Sequence, residues 1–313
     1  MQRSYTRRQL LVLLLAAVLI VAAALTFFLR GGVREPVNQD YVAVIRIDGT
    51  IYGGQDSGGL LAQQQGAASE RVMKELRQAR LDPHAKAVLL RINSPGGSAA
   101  AAQEIAEEVD KVRSGGKPVV VSMGDLCASA GYWIACRGDY LFANSASMTG
   151  SIGVYIDYNN IGELMDKLGI RNEKIKSGEH KDILSMFRPM TEEERALLQQ
   201  MVNDIYGQFI RVVADGRGMD EAKVRSLADG RIFTGRQALD AGLIDALGNY
   251  YDALSYAGSR AGFGDGDVPV RTYGETRPLA GLLSSELNGA GSRMADGLMD
   301  RIGRAADNAP AVK

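Results

Sequence analysis

The sequence is poor in the residues that build metal clusters and disulfide frameworks. It holds 2 cysteines and 2 histidines in 313 residues, so neither a disulfide scaffold nor a four-thiolate zinc site can be made from it. No metal and no cofactor are expected. Any histidine-dependent mechanism is restricted to His84 or His180. A surplus of charge is missing as well, because 36 Lys and Arg face 37 Asp and Glu. Without a basic excess, nucleic acid is not an expected partner. What is plentiful is glycine: 37 of 313 residues, about 12% against an average near 7%. With 46% hydrophobic and 23% charged residues, the composition is that of a folded chain rather than a disordered one.

One segment departs from these averages. Residues 10–29 read LLVLLLAAVLIVAAALTFFL, with Thr26 as the only polar residue. As a helix this run is about 30 Å long, the thickness of the hydrocarbon core of a bilayer. A cleaved signal peptide would have a shorter apolar region, about 7–15 residues, ending at small residues. Here the run ends in Phe27, Phe28 and Leu29, so an uncleaved transmembrane anchor is expected. Arg3, Arg7, Arg8 and the terminal amine outweigh Arg30 and Arg34 on the far side. This predicts a cytoplasmic N-terminus at 1–9 and a body on the extracytoplasmic side of the cell membrane.

Residues 30–40 read as a linker, and the folded body is expected over 41–261. YVAVIRI from Tyr41, KAVLLRI from Lys86 and PVVVSM from Pro118 are apolar strands, with further strands at YLFA and SIGVY and a short one at NEKIKSG. Between them lie helices: one capped by Ser69, one opening at Ser98 with Ala102, Ile105, Val109 and Val112 on its buried stripe, and one over ASAGYWIAC. Strands that are apolar on both faces and alternate with helices predict an α/β fold with a largely parallel sheet. Thr191-Glu192-Glu193-Glu194 is a capping box for a long amphipathic helix reaching about Asp215. From 262 to 313 the composition drifts to Gly, Ala, Ser and Asp. A partly disordered tail is expected there, with one amphipathic helix possible at 282–302.

Two turns carry the chemistry. Asn93-Ser94-Pro95-Gly96-Gly97-Ser98 joins the C-terminal end of a strand to a helix, the edge at which parallel sheets bind ligands. Adjacent glycines let backbone N–H groups face outwards, so the turn can hold an oxyanion, and it can equally be a plain tight turn. Asp125-Leu126-Cys127-Ala128-Ser129-Ala130-Gly131-Tyr132 repeats the arrangement, with Ser129 between small residues. Taken alone, Ser129 is most simply a helix N-cap. Taken together, the two turns read as one site with a nucleophile from one and oxyanion donors from the other. A serine needs a base. His84 falls at the N-terminal end of a strand, whereas Lys176-Ser177-Gly178-Glu179-His180-Lys181-Asp182 offers both His180 and Lys181.

SPGGS, the ASAGYW segment, TGSIGV at 149–154, KSGEHKD and TGRQALDAGLID at 234–245 closely resemble the signal peptide peptidase A (protease IV) family in its short, single-copy form. The resemblance spans roughly residues 41–257. It implies a crotonase-like α/β spiral related to the Clp protease subunit, and a serine endopeptidase with a Ser/Lys dyad working through an acyl-enzyme. Ser129 would be the nucleophile and Lys181 the general base, with Ser151 orienting the lysine. Backbone N–H groups at Gly96 or Gly97 and at Ala130 would hold the oxyanion. Many relatives have glycine where this chain has Ala130, a change that spares the N–H. The resemblance further implies a homo-oligomer in which one subunit supplies the lysine to its neighbour's serine, and remnant signal peptides as substrates. A lysine of ordinary pKa, ~10.4, is only about 0.04% neutral at pH 7, so such a base must be desolvated and kept from carboxylates. Asp182 and Glu179 are therefore expected to point away from Ser129. The alternatives are His180 as the base, a crotonase-fold acyl-CoA enzyme, or an inactive membrane scaffold of the same fold.

Overall fold

The computed structural model describes residues 39–55, 66–264 and 267–274. The expected anchor, nearly all of the linker and the helix suggested at 282–302 lie outside them. Among the described residues no helix is long and apolar enough to cross a membrane.

The elements are β1 (Tyr41–Asp48), β2 (Thr50–Tyr52), β3 (Gly66–Ala68), α1 (Ser69–Leu81), β4 (Ala85–Ser94), α2 (Ala99–Ser114), β5 (Val119–Ala128), α3 (Ala130–Ala135), β6 (Tyr140–Ala143) and β7 (Met148–Gly150). There follow α4 (Gly162–Lys167), a 3-10 turn (Glu179–Asp182), α5 (Glu192–Arg217), α6 (Glu221–Leu227), β8 (Ile232–Thr234), α7 (Gly235–Asp240), β9 (Ala246–Leu247), α8 (Tyr250–Arg260) and β10 (Val270–Thr272). The main sheet runs β10-β1-β4-β5-β6-β9, and every neighbouring pair along it is parallel.

Period-two alternation divides the strands between two cores. Ile45, Ile47, Val88, Leu90, Ile92, Val119, Val121 and Met123 face α1, α2, α3 and α5. Val42, Val44, Ala87, Leu89 and Val120 face Ala253 and Ala257 of α8. Covering both faces explains why these strands read as unbroken apolar runs. Each fully buried Ile or Leu contributes about 1.5–3 kcal/mol.

β5 changes partner along its length. Its first part pairs with β6 and its last part, Leu126–Ala128, with β7. The change occurs at a bulge: Ile92 faces Met123 and Ser94 faces Cys127, so Asn93 alone opposes Gly124, Asp125 and Leu126. A Cβ on Gly124 would come within 2.9 Å of the Asn93 side chain, and Asn93 Oδ1 accepts the Leu126 N–H at 3.1 Å. The bulge bends β5 and carries its end to the sheet edge where Ser129 begins α3.

Several elements differ from the sequence expectation. Ser69 is the first residue of α1 and not its cap, because β3 runs directly into the helix and turns Ser69 inwards. Its hydroxyl is buried without a partner among the described residues. The strand expected at SIGVY lies earlier, at Met148–Gly150, since Gly150 (φ 78°) and Ser151 (φ 51°) break the extended ladder. No strand forms at NEKIKSG, where no other strand runs alongside and Ile175 is fully exposed. The third helix is shortened to Ala130–Ala135, so Cys127 lies in β5 and not in the same helix as Cys136. Within the stretch read as tail, Val270–Thr272 forms the edge strand β10 on Val42–Val44; a three-residue strand shows no periodicity of its own.

Candidate active site

Ser129 occupies the N-cap position of α3 with φ 52° and ψ −122°, a backbone region that residues other than glycine rarely adopt. Two hydrogen bonds hold it there: its N–H donates to the Gly150 carbonyl at 2.8 Å, and its carbonyl accepts the Trp133 N–H at 2.9 Å. The short helix behind it is buried throughout, with Tyr132 Oη donating to the Leu243 carbonyl at 2.8 Å and Trp133 stacked on Phe209 at 4.8 Å. The side chain makes no capping hydrogen bond. Ser129 is therefore not a functional N-cap, and its Oγ is left uncommitted among the described residues.

The Gly96-Gly97 turn lies directly against it. A Cβ on Gly96 would stand 2.7 Å from the Ser129 Cβ and 3.0 Å from the Ala130 nitrogen. The turn is fixed by β2: the Ile51 N–H donates to the Gly96 carbonyl and the Ser98 N–H to the Ile51 carbonyl, both at 2.9 Å. A Cβ on Gly97 would collide with the Ile51 carbonyl at 2.0 Å, which excludes any side chain there. Of the two glycines read as oxyanion donors, Gly96 gives its N–H to Ser94 Oγ at 3.1 Å. Gly97 is exposed and makes no such bond among the described residues. The Ala130 N–H, in the first turn of α3, has no intrahelical partner. Gly97 and Ala130 thus each carry a backbone N–H without a partner among the described residues, on the two turns that meet where Gly96 packs against Ser129.

Ser151 follows Gly150, which is registered against Ala128. It is the neighbour of Ser129 across the strand pair, and both serines have positive φ. The Ser151 N–H donates to the Arg231 carbonyl at 2.9 Å, while its hydroxyl remains uncommitted among the described residues. Sequence reasoning missed the groups that hold this arrangement. Ser94 is fully buried beneath Gly96, and Thr149 Oγ1 donates to the Cys127 carbonyl at 2.7 Å. Polar residues in apolar strands were the available signal.

Ser129, Ser151, Gly96, Gly97 and Ala130 are brought together. Lys181 is not: it makes no hydrogen bond to either serine, and it is exposed on the 3-10 turn. None of residues 153–190 is buried. Asp182, its chain neighbour, is held by Arg188 at 2.8 and 3.0 Å and by Lys176 at 2.7 Å. The Glu179 carbonyl accepts from Lys176 Nζ at 2.8 Å. His180 Nε2 lies 3.6 Å from Glu193 Oε1 and touches neither serine. His84 immediately precedes β4, at the opposite sheet edge from Ser94 and Ser129. Burial pushes both thiols up, Cys136 to about 12 and Cys127 further. Among the described residues no three His, Cys, Asp or Glu side chains are grouped as a metal site needs.

Comparison with known proteins places the chain among peptidases. The model of peptidase family S49 matches residues 111–263, and that of Clp protease matches residues 60–150. The chain is 43% identical over 198 residues to a protein named as a candidate protease in Synechocystis sp., covering 63% of this chain and 71% of that one. It is 36% identical over 220 residues to Protease 4 of Salmonella typhi, covering 70% of this chain and 34% of that one. A candidate signal peptide peptidase SppA of Enterococcus faecium is 40% identical over 185 residues, covering 59% of this chain and 54% of its own. The chain thus spans about a third of the Salmonella protein and about half of the Enterococcus one.

Proposed function

Because the chain belongs to peptidase family S49 and is by that membership a serine peptidase, we propose that it is a membrane-anchored endopeptidase in which Ser129 is the nucleophile and Lys181 the general base. The observation that carries this reading is the Ser129 hydroxyl, uncommitted among the described residues and held at positive φ against the Gly96-Gly97 turn. A strained, locked backbone that presents a serine serves attack on a carbonyl and has no packing use.

In the proposed mechanism the neutral Lys181 amine takes the Ser129 proton as Oγ attacks the scissile carbonyl. The oxyanion is received by the Gly97 and Ala130 N–H groups, which act where negative charge develops. The resulting ammonium protonates the leaving amine and yields an acyl-enzyme. A water molecule, deprotonated by the same lysine, then releases the acid. Ser151, beside Ser129, hydrogen-bonds the amine and aims it.

Lys181 reaches the serine of a neighbouring subunit in a homo-oligomer. This is supported by the lack of any buried residue over 153–190 and by the exposed apolar residues the segment presents, including Tyr155, Leu164, Leu168 and Ile175. Assembly would cover that surface and desolvate the amine, as a lysine base requires. The proposed substrates are remnant signal peptides and other apolar peptides. Ile232, registered against Gly150 and 55% exposed, gives such a peptide an apolar surface near Ser129. The proposed location is the cell membrane, crossed by residues 10–29 with the peptidase body on the extracytoplasmic side.

Labelling with a fluorophosphonate probe tests the nucleophile: it is expected in the assembled protein and absent in Ser129→Ala. Mixing inactive Ser129→Ala and Lys181→Ala chains tests the shared site. Recovered peptidase activity is expected. Wild-type activity in Lys181→Ala would overturn the assignment of the base.

A further inference from the structure

Lys181 stands on a stretch of chain with no buried residue of its own, yet a base must be placed to within a fraction of an ångström. A nearby element with roots in the core is α5, whose Phe209, Ile210, Val213 and Ala214 are buried in the body. Its N-terminus is closed by a capping box: Glu194 N–H donates to Thr191 Oγ1 at 3.1 Å, and Thr191 N–H donates to Glu194 Oε2 at 3.0 Å.

Arg188 connects the two. Its guanidinium donates to both carboxylate oxygens of Asp182, from Nη2 at 2.8 Å and Nε at 3.0 Å. It donates also to both oxygens of Glu194, from Nη1 at 2.8 Å and Nη2 at 2.5 Å. The side chains of Asp182 and Glu194 are 12% and 3% exposed. Such two-pronged contacts fix orientation as well as distance, which a lysine in place of Arg188 would not do.

Asp182 is next to Lys181 in the chain and would be its obvious ion-pair partner. Instead its oxygens are shared among Arg188, Lys176 at 2.7 Å and Lys174 at 3.8 Å. The Lys181 amine makes no ion pair among the described residues. The other acidic group of the turn is Glu179, which is exposed, and Glu193 of α5 faces His180.

We propose that Arg188 is a positioning residue for Lys181: by joining Asp182 to Glu194 it fixes the lysine's turn to the N-terminus of α5 and keeps the adjacent carboxylate from pairing with the amine. This rests on the reading of Lys181 as the base. The hydrogen bonds from Arg188 hold the Asp182 carboxyl well below its usual range and Glu194 at about 2, so both are ionised at any working pH.

The test is steady-state kinetics of the assembled full-length protein on an apolar peptide, from about pH 6 to pH 10, with active sites counted by fluorophosphonate. Arg188→Ala is expected to lower kcat per active site by about tenfold or more, with KM changed less than about twofold. The released Asp182 should pair with the amine and move the acid limb of kcat/KM upward by about one pH unit. Adding Asp182→Asn should return the limb to its wild-type position while kcat stays low. A wild-type profile in Arg188→Ala, or a rate loss with an unmoved limb, would overturn the proposal. If Arg188→Ala does not assemble, Asp182→Asn alone decides: a lowered kcat with an unmoved limb is expected, and an unchanged kcat overturns it. Lys181→Ala separates the two levels. Activity remaining there removes the base assignment itself, whereas an inactive Lys181→Ala beside an unaffected Arg188→Ala removes only the role of Arg188.

Discussion

The α-carbon of Gly96 lies so close to Ser129 that a Cβ built on it would stand 2.7 Å from the serine Cβ. No pair of non-bonded carbon atoms tolerates that separation, and Gly96 also has φ 109°, which an L side chain rarely adopts. Gly96→Ala must therefore displace either the turn or the nucleophile. We expect activity to fall by about a hundredfold or more, in line with a misplacement of about 1 Å. The fold should lose about 1–3 kcal/mol from backbone strain. Peptide hydrolysis and thermal melting of the same sample check both parts. Activity within tenfold of wild type would mean that Ser129 is not the nucleophile.

Ser129 itself stores strain, with φ 52° and ψ −122°. Glycine relieves such a backbone, whereas alanine keeps the Cβ and the strain with it. Ser129→Gly is accordingly expected to be inactive and more stable than Ser129→Ala by about 1 kcal/mol. That corresponds to a rise of about 2–4 °C in the melting midpoint for a body of this size. Equal midpoints for the two variants would show that the conformation costs the fold nothing.

How much of this was legible in the sequence depends on where each feature is determined. β1, β4 and β5 were legible because both faces of the sheet are covered and their apolar runs are long. The capping box at Thr191 and Glu194 was legible because it is a local contact. β10 was not, since Val270–Thr272 is extended only by pairing with Val42–Val44. Nor was the bulge at Asn93, which depends on Gly124 meeting a side chain from another strand. The proximity of Ser129 to Gly96 followed from two turns at one sheet edge. That Ser94 Oγ takes the Gly96 N–H, which leaves Gly97 as the proposed donor, did not. Lys181 was legible by resemblance alone, and a single chain does not bring it to Ser129.

The thiols give a check on the nucleophile. Cys127 precedes Ser129 by two residues, but it is fully buried in β5, and Cys136 is buried behind α3. Burial raises both thiols, Cys136 to about 12, and only a thiolate attacks. Iodoacetamide at about pH 8 should neither alkylate the native protein nor inhibit it, while a fluorophosphonate inactivates it completely. Alkylation of Cys127 that tracks loss of activity would overturn the serine assignment.

The ion cluster behind Lys181 sets an acid limit. Arg188 and the Thr191 N–H hold Glu194 at about 2 against an ordinary 4.5, and Arg188 and Lys176 lower Asp182 from 3.8. Between the unfolded and folded values the unfolded chain binds more protons, so stability in this region falls as pH falls. The contribution is whole above about pH 5 and is lost progressively towards pH 2. Asp182 lies in the segment without buried residues and Glu194 in the first turn of α5, so the loss should be local before it is global. Hydrogen-exchange protection factors of peptides covering residues 178–195 should therefore decline between about pH 5 and pH 3, while those from β4 and β5 hold. In Arg188→Gln the same peptides should already be unprotected at the upper pH and show little further change. Protection in the wild-type segment that is independent of pH would mean that Arg188, Asp182 and Glu194 do not hold the lysine's turn.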